Sequence, residues 1–153
     1  MENMESECLI CTRISQIKES KNPYFVRELE TGYVVLGDFQ FYKGYTLFLS
    51  KIHVDELHKL GSIRTLFLSE MAIVAEAVFT VFKPNKLNYE LLGNTDRHLH
   101  WHIIPRYKTN PKPNAPIWII DKSIRYAETT RPSKGELKIF TGQLNQELDV
   151  LIR

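Results

Sequence analysis

Residues 97–106 read Arg97-His98-Leu99-His100-Trp101-His102-Ile103-Ile104-Pro105-Arg106, with three of the chain's five histidines at every second position. Large apolar residues alternate with them, and a period of two is typical of a half-buried β-strand. On a helix, steps of two residues would spread the imidazoles about 200° apart around the axis. The pattern therefore predicts a strand that packs Leu99, Trp101 and Ile103 inward and ends at Pro105, which has no N–H to donate.

Three imidazoles on the other face of that strand predict a functional site. A core tolerates one histidine as a satisfied polar group, but three in register serve no packing purpose. Clustered imidazoles on one face are typical of sites where protons or ligands are exchanged. The alternative explanation is an exposed polar strand face.

The composition predicts a single globular domain with an ample core. The chain has 153 residues, of which 43% are hydrophobic and 25% are charged, and these values are ordinary for a globular protein. A net charge of +2 favours neither a nucleic-acid partner nor a strongly acidic one. We expect no apolar run of membrane length and no secretion leader, so the protein is predicted to be cytoplasmic, with no membrane partner and with reduced cysteines.

The remaining chain alternates strand signals with helix signals. Runs rich in Tyr, Val, Phe and Thr, separated by glycine, predict an antiparallel meander that a further strand and a turn connect to the histidine stretch. Apolar spacings of three and four predict a long helix capped by Ser62 and an amphipathic C-terminal helix that starts with a capping box. The predicted strands cover residues 24–29, 33–36, 45–50, 86–92 and 118–120, the helices cover 62–82 and about 133–152, and residues 1–7 form a loose acidic tail.

Cys8 and Cys11 form a C-x-x-C pair whose role the spacing alone leaves open. Such a pair is a redox couple, half of a zinc site or two small packed residues. A redox pair normally follows a strand in a βαβ pattern, which this sequence lacks. Zinc requires two further ligands from elsewhere in the chain.

The stretch His98-Leu99-His100-Trp101-His102-Ile103-Ile104 resembles the His-φ-His-φ-His-φ-φ signature of the histidine triad family, which comprises nucleotide hydrolases and transferases. The resemblance extends over roughly residues 8–107. It implies a single α+β domain over 1–153, with an antiparallel sheet of about five strands that carries one long helix, usually as a homodimer. The strand and helix predictions above agree with this fold independently.

The triad also implies a chemistry. A neutral imidazole attacks phosphorus well if an acceptor holds its other nitrogen, and a covalent phosphoramidate divides one difficult displacement into two easier ones. The family uses its middle histidine as nucleophile, which implies His100 here. His102 would contact the phosphate or the leaving group, and His98 completes the catalytic triad. Tyr45 stands where many relatives have a histidine, which implies a different hydrogen bond behind the triad.

The resemblance implies nucleotide contacts as well. Asn94 and Thr95 occupy positions where the family places polar ligands of the phosphates or leaving group. Asn88, on the preceding strand, is expected near the imidazoles, and Arg106 is a candidate for the phosphate charge. Asp38 is nearest in kind to the family's ribose-binding residue, and ordinary turn chemistry is the alternative explanation for it.

Several bacterial relatives hold zinc with an N-terminal C-x-x-C, a histidine after the third strand and the first triad histidine. The matching residues here are Cys8, Cys11, His53 and His98, which suit a closed tetrahedral Cys₂His₂ site. The resemblance therefore implies a structural zinc that ties the N-terminus to the sheet, and no organic cofactor. Two reduced cysteines packed beside two histidines are the alternative.

The leading hypothesis is a hydrolase that cleaves a purine nucleoside monophosphate, AMP, from a dinucleoside polyphosphate through a nucleotidyl intermediate on His100. A nucleoside phosphoramidase is the alternative enzyme. A non-catalytic nucleotide-binding or scaffold protein is the alternative class, against which the intact triad argues. An iron oxygenase is disfavoured because Asp96 is the only carboxylate beside the histidines and the nearby basic residues suit phosphate better than a cation.

Overall fold

The computed structural model describes residues 8–153, and in this range the chain forms five strands and four α-helices. The predicted acidic tail, residues 1–7, lies outside the described residues. The strands are β1 Phe25–Glu28, β2 Gly32–Leu36, β3 Thr46–Ser50, β4 Lys86–Glu90 and β5 His100–Arg106. The helices are α1 Leu9–Lys18, α2 Arg64–Phe82, α3 Lys122–Arg125 and α4 Lys134–Ile152, with 3₁₀ segments at Leu57–Ile63, Ile117–Ile119 and Glu128–Thr130.

The strands form one antiparallel sheet in the order β1-β2-β3-β5-β4, which confirms the predicted α+β class. The histidine strand β5 is internal, between β3 and β4, so its backbone is held by ladders on both sides. In this register His100 lies opposite Leu49 of β3, and His102 lies opposite both Leu47 of β3 and Glu90 of β4. The backbone of His102 is therefore paired on both sides, and that of His100 is paired with β3.

The ends of β5 differ from the prediction. The regular strand begins at His100, so His98 precedes it in a bend, and it continues through Pro105 to Arg106. The carbonyl of Arg106 accepts from the backbone N–H of Asn85, just before β4. Successive residues of a strand direct their backbone groups to opposite sides, so the nitrogen of Pro105 faces β3. Pairing with β3 ends at Ile103, and Pro105 therefore removes no ladder hydrogen bond.

The two faces of the sheet are covered by different helices. Helices α2 and α4 pack on one face and form the main core with residues such as Phe48, Phe67 and Leu144. Helix α1 packs on the other face, over β2 and β3, through Ile10 and Ile14. Sequence analysis missed α1, although apolar residues of this segment are spaced by four and by three. The histidines project from the same face as α1 because β5 alternates like its neighbours.

The predicted Ser62 cap of the long helix is wrong. The N-cap residue is Ile63, and no side chain caps this end because the 3₁₀ segment Leu57–Ile63 leads directly into α2. Gly61 adopts a positive φ of 65° at the junction, a conformation that glycine tolerates best. The far end is as predicted, since α2 stops at Phe82, before Pro84. The capping box of Ser133 and Glu136 on α4 is also confirmed.

One helical segment, Leu57–Phe82, is long and apolar enough to cross a membrane by length and composition alone, contrary to the expectation from the sequence. Its Phe67 and Val74 are completely buried in the core of the fold. Its Glu70 is buried as well, and the carboxylate accepts backbone hydrogen bonds from Glu30 and Thr31 in the β1–β2 turn. These contacts are those of a core helix that also anchors a turn.

The segment between β5 and α4 crosses the histidine face of the sheet. Ile117 is buried there against Tyr42 and Ile104. The predicted strand over residues 118–120 is wrong, because the N–H of Ile120 bonds locally to the carbonyl of Ile117, 3.0 Å away, in a 3₁₀ turn. We call residues 117–126 the crossing segment. It closes the end of the histidine face that α1 leaves open.

Candidate functional site

The three histidines lie close together at the start of β5. The ring centroids of His100 and His102 are 4.8 Å apart. His98 and His100 are almost fully buried, with 1% and 6% of their surface exposed, and His102 is partly buried. The predicted common face therefore holds for His100 and His102, which both line a pocket, whereas the ring of His98 faces Cys8 and Cys11 near the N-terminus.

The ring of His100 is oriented by one hydrogen bond. Its Nδ1 lies 2.6 Å from the carbonyl oxygen of His98. A carbonyl only accepts, so Nδ1 carries the proton and Nε2 carries the lone pair. The geometry thus provides the orientation that sequence analysis requires of a nucleophilic imidazole.

His102 is held by a different partner. Its Nδ1 lies 2.6 Å from the hydroxyl of Tyr45, the residue that stands where many relatives have a histidine. Burial raises the pKa of the Tyr45 phenol, so the hydroxyl stays protonated. Burial, and then the charge of His100, lowers the pKa of His102 to about 4. With the phenol donating to Nδ1, the neutral ring keeps its proton on Nε2, where it can donate to an anion.

Four predicted metal ligands converge at the N-terminal end of the same region. The Sγ atoms of Cys8 and Cys11 and the Nδ1 atoms of His53 and His98 all lie within 4.8 Å of one another. Three of the four sulfur–nitrogen distances are 3.3–3.5 Å, and the two nitrogens are 3.1 Å apart. A tetrahedral zinc with bonds of about 2.3 Å to sulfur and 2.0–2.1 Å to nitrogen separates its ligand atoms by about 3.3–3.8 Å. The group can therefore hold a metal ion of this kind.

His98 takes part in both sites: its ring is one of the four candidate metal ligands, and its backbone carbonyl contacts His100 of the triad. Its Nε2 lies 2.7 Å from the carbonyl oxygen of Ser50, so Nε2 carries the proton and Nδ1 faces the cysteines as a lone pair. Burial lowers the pKa of His98, which favours the neutral imidazole that a metal requires. The same residue's carbonyl orients His100.

A pocket of about 290 Å³ opens beside His100 and His102. Its wall at one end consists of α1, β2 and β3, and its wall at the other end is the crossing segment. Lining residues include Leu9, Ile10, Arg13, Val35, Asp38, Phe39, Tyr45, Leu47, Asp96, Ile117, Arg125 and Tyr126. The pocket is thus mainly apolar, with a few polar groups near the histidines.

Asp38 lines this pocket as predicted, but it already has a partner. Its Oδ2 lies 2.5 Å from an Nη atom of Arg13, and each side chain is about 30% exposed. Arg13 belongs to α1. Because the sequence patterns did not predict this helix, they did not indicate that Arg13 lines the pocket. A ligand at this end meets an ion pair and not an isolated carboxylate.

The structure places two other predicted ligands away from the pocket. Asn88 accepts a hydrogen bond from Arg106, with 2.7 Å between Oδ1 and Nη1, and neither residue lines the cavity beside the histidines. Arg106 is 4% exposed, stacks over the ring of Tyr42 and donates to the carbonyl of Lys112. Its guanidinium contacts a loop and does not line the pocket beside the histidines, so the structure does not bring this predicted phosphate ligand to the nucleophile.

Three successive residues of the turn before the triad, 94–96, line three different hollows. Asn94 lines a hollow together with His98 and His100, and Thr95 lines one together with Cys8. Asp96 lines the main pocket. Of the two polar residues predicted to bind phosphate, Asn94 therefore lies nearer to the nucleophile.

Sequence analysis missed the contributions of the crossing segment. The ring of Trp118 lies 5.9 Å from that of His102, and the ring of Tyr126 stacks on Phe39 at 4.9 Å. Arg125 lies between these two aromatic residues and lines the pocket. The clustered aromatic and basic residues were a weak signal, because only the fold shows that they return to the histidines.

The sequence profile of the HIT domain matches residues 18–109, which is more than half of the chain. The chain belongs to the histidine triad (HIT) family. Proteins of this family bind nucleotides, and the family includes nucleotide hydrolases. An uncharacterised HIT-like protein of Mycoplasma genitalium is 27% identical over 113 residues, which cover 70% of this chain and 78% of that protein.

Solved structures of HIT proteins confirm the fold. A histidine triad protein from Bradyrhizobium japonicum superposes with a TM-score of 0.71 at 22% identity, covering 88% of this chain and 95% of its own. A zinc-bound histidine triad family protein from Mycobacterium smegmatis superposes with a TM-score of 0.64 at 17% identity, covering 97% of both chains. At these identities the likeness shows the architecture alone.

The low pKa of His102 predicts that this ring stays neutral well below pH 6. A ring whose folded pKa is about 4, against 6.5 when unfolded, stabilises the fold fully above pH 6.5 and loses that contribution as the pH falls toward 4. NMR titration of the histidine ring signals checks this: the His102 signal should stay constant from pH 8 to about pH 5.5 and move near pH 4. In urea-unfolded protein the same signal should titrate at an ordinary value. A folded-state midpoint above pH 6 contradicts the prediction.

Proposed function

We propose that the protein is a nucleotide hydrolase that transfers a nucleoside monophosphate, AMP, from a dinucleoside polyphosphate to His100 and then to water. The observation that carries the proposal is the hydrogen bond from Nδ1 of His100 to the carbonyl of His98. It leaves the lone pair of Nε2 available beside a pocket of about 290 Å³ that accommodates a nucleotide-sized ligand.

The reaction proceeds in two displacements. In the first, Nε2 of His100 attacks the α-phosphorus, a P–N bond forms, and the P–O bond to the polyphosphate leaving group breaks. In the second, a water oxygen attacks the same phosphorus, the P–N bond breaks and the water's proton is released, which regenerates the imidazole and frees AMP. The Tyr45 hydroxyl donates to Nδ1 of His102, so the ring carries its proton on Nε2. The Nε2–H group of His102 donates a hydrogen bond to a phosphate oxygen.

The nucleoside belongs at the end of the pocket that α1 covers. Ile10, Val35 and Leu47 provide an apolar slot that suits the flat faces of a purine. Asp38 is at the rim of this slot, where a carboxylate can accept from both ribose hydroxyls. Its ion pair with Arg13 holds the carboxylate in place, and one of its oxygens is left to contact the sugar.

Cys8, Cys11, His53 and His98 are proposed to hold a structural zinc. The set of two thiolates and two imidazoles matches the preference of zinc for sulfur and nitrogen. Cys8 also caps α1, since its Sγ accepts from the N–H of Cys11. Zinc bound there would join the start of α1 to the sheet and take no part in the phosphoryl chemistry.

A homodimer is proposed as the working form. Strand β4 is at the edge of the sheet, where its outer backbone groups can pair with another strand. Beside it lies a surface hollow lined mainly by apolar side chains, and Phe79 and Tyr89 are each 49% exposed. An edge strand next to exposed apolar residues suits a symmetric contact between two copies.

Substitution of His100 tests the covalent mechanism. His100→Ala and His100→Asn should each lower turnover by roughly 10⁴-fold or more, because neither side chain can attack phosphorus. Asparagine keeps an N–H that can bond to the His98 carbonyl, so its variant controls for the lost hydrogen bond. Acid-quenched wild-type protein given substrate labelled at the α-phosphate should carry the label, and both variants should not. Turnover within tenfold of wild type in either variant excludes the mechanism.

The ribose contact is tested at Asp38. Asp38→Ala should weaken binding of adenosine nucleotides by roughly 1.5–3 kcal/mol, the range for hydrogen bonds to a charged group. The variant should also discriminate little between ribose and 2′-deoxyribose nucleotides, as measured by isothermal titration calorimetry. Arg13→Gln serves as the control, since it removes the partner of Asp38 but keeps the carboxylate. If Asp38→Ala discriminates the two sugars as wild type does, Asp38 only pairs with Arg13.

The metal assignment is tested by measuring the metal content of protein purified without any chelator. About one zinc per chain is expected, and His53→Gln and Cys8→Ser should each lose metal and melt at a lower temperature, because metal binding is linked to folding. His58→Gln is the matched control, since His58 is exposed and outside the group of four. Metal-free wild-type protein, or a His53→Gln variant that retains its zinc, contradicts the assignment.

A further inference from the structure

The crossing segment closes the pocket beside β5 and β4, where Trp118 lies, and its last residue, Tyr126, reaches Phe39. Trp118 donates from Nε1 to a carboxylate oxygen of Glu90, 2.6 Å away on β4, and its ring meets that of His102 edge to face. Helix α1 covers β2 and β3, whereas Trp118 lies over β5 and β4. The two histidines that face the pocket therefore stand between a nucleoside end and an end formed by the crossing segment.

Arg125 is held at this second end by three contacts. Its Nε donates to the carbonyl of Ile120 at 2.9 Å, and its guanidinium lies 5.1 Å from the ring centre of Trp118 and 5.3 Å from that of Tyr126. Among the described residues, no hydrogen bond or ion pair engages its Nη groups. A guanidinium that is fixed by Nε and by two rings, with free terminal N–H groups, is oriented for an anion.

Arg125 supplies the positive charge that an anion needs at this end of the pocket. Two carboxylates border the same pocket region, since Asp96 lines the pocket and Glu90 accepts a hydrogen bond from Trp118. The positive field of Arg125 reaches the pocket floor, where it opposes the effect of burial on the pKa values of Tyr42 and Tyr45. Without Arg125, the described residues that line the pocket at this end carry no positive charge to meet a polyphosphate that leaves past His102.

We propose that Arg125 binds the phosphates of the leaving group, so that the site selects substrates that release an anionic polyphosphate over substrates that release a neutral amine. This inference rests on the proposed function and extends it from the transferred nucleotide to the group that departs. It assigns the leaving-group preference to the crossing segment, outside the triad and outside the residues 18–109 that match the HIT profile.

The test compares two substrates that share an adenylyl group. Diadenosine tetraphosphate releases an anion, and adenosine 5′-phosphoramidate releases ammonia. Arg125→Gln should lower kcat/KM for diadenosine tetraphosphate by about 10- to 100-fold, the loss of a charged hydrogen-bond pair, and change that for the phosphoramidate by less than about twofold. Arg125→Lys should fall between wild type and Arg125→Gln on the first substrate, because it keeps the charge without the fork.

Lys122→Gln is the matched control for lost charge. Lys122 lies one helical turn before Arg125 and also stacks on Tyr126, at 5.2 Å, but it does not line the pocket. Its variant should treat both substrates as wild type does. Equal losses by Arg125→Gln on both substrates would show that the residue only supports Trp118 and Tyr126, and no loss on either would remove it from the site; both results overturn the proposal.

A second measurement separates this proposal from the proposed function. If wild-type protein turns over neither substrate, the hydrolase assignment fails, and the fluorescence of Trp118 and Trp101 during titration with ATP and with AMP then decides the role of Arg125. Arg125→Gln should weaken ATP binding by about tenfold or more and AMP binding by less than about twofold. Equal weakening of both ligands, or none, overturns the proposal whatever the chemistry.

Discussion

The hydrogen bond from His100 to the carbonyl of His98 is the interaction on which both sites of this protein depend. His98 acts in three directions: its carbonyl orients His100, its Nε2 is fixed by Ser50, and its Nδ1 faces the two cysteines. Because one short stretch of backbone serves the metal group and the nucleophile, neither can shift without moving the other. The bend that precedes β5 permits this, since it turns His98 away from the pocket while His100 stays on the strand.

Helix α1 links the metal group to the nucleoside end of the pocket as well. Cys8 is the N-cap of this helix, and residues of its first two turns, Leu9, Ile10 and Arg13, line the pocket. A metal held by Cys8 and Cys11 would therefore fix the position of a wall that the substrate contacts, although the metal itself lies outside the pocket. The buried contacts of Ile10 and Ile14 with β2 and β3 hold the same helix from its side. We infer that metal binding and nucleotide affinity are coupled through α1 and not through the phosphate.

Patterns of neighbouring residues in the sequence predicted the elements whose structure depends mainly on neighbouring residues. The period of two in the histidine stretch, the spacing in α2 and the capping box at Ser133 each follow from neighbouring residues, and the structure confirms them. The four metal ligands came from a family resemblance and are indeed adjacent. The crossing segment and the roles of Arg13 and Arg106 were missed or misplaced because they depend on contacts between distant parts of the chain. Nothing in its neighbourhood in sequence shows that Arg106 is buried under Tyr42.

Electrostatics explains why the site requires a positive charge from the crossing segment, which is distant in sequence from the sheet. A nucleophilic imidazole must be neutral to attack, and burial keeps its neighbour His102 neutral at physiological pH. The triad therefore offers hydrogen bonds to a polyphosphate but little positive charge. Arg13, at the nucleoside end, is neutralised by Asp38, and Arg106 does not line the pocket. Of the two arginines that line the pocket among the described residues, this leaves Arg125 to balance the substrate's charge, from a segment that the sheet alone does not define.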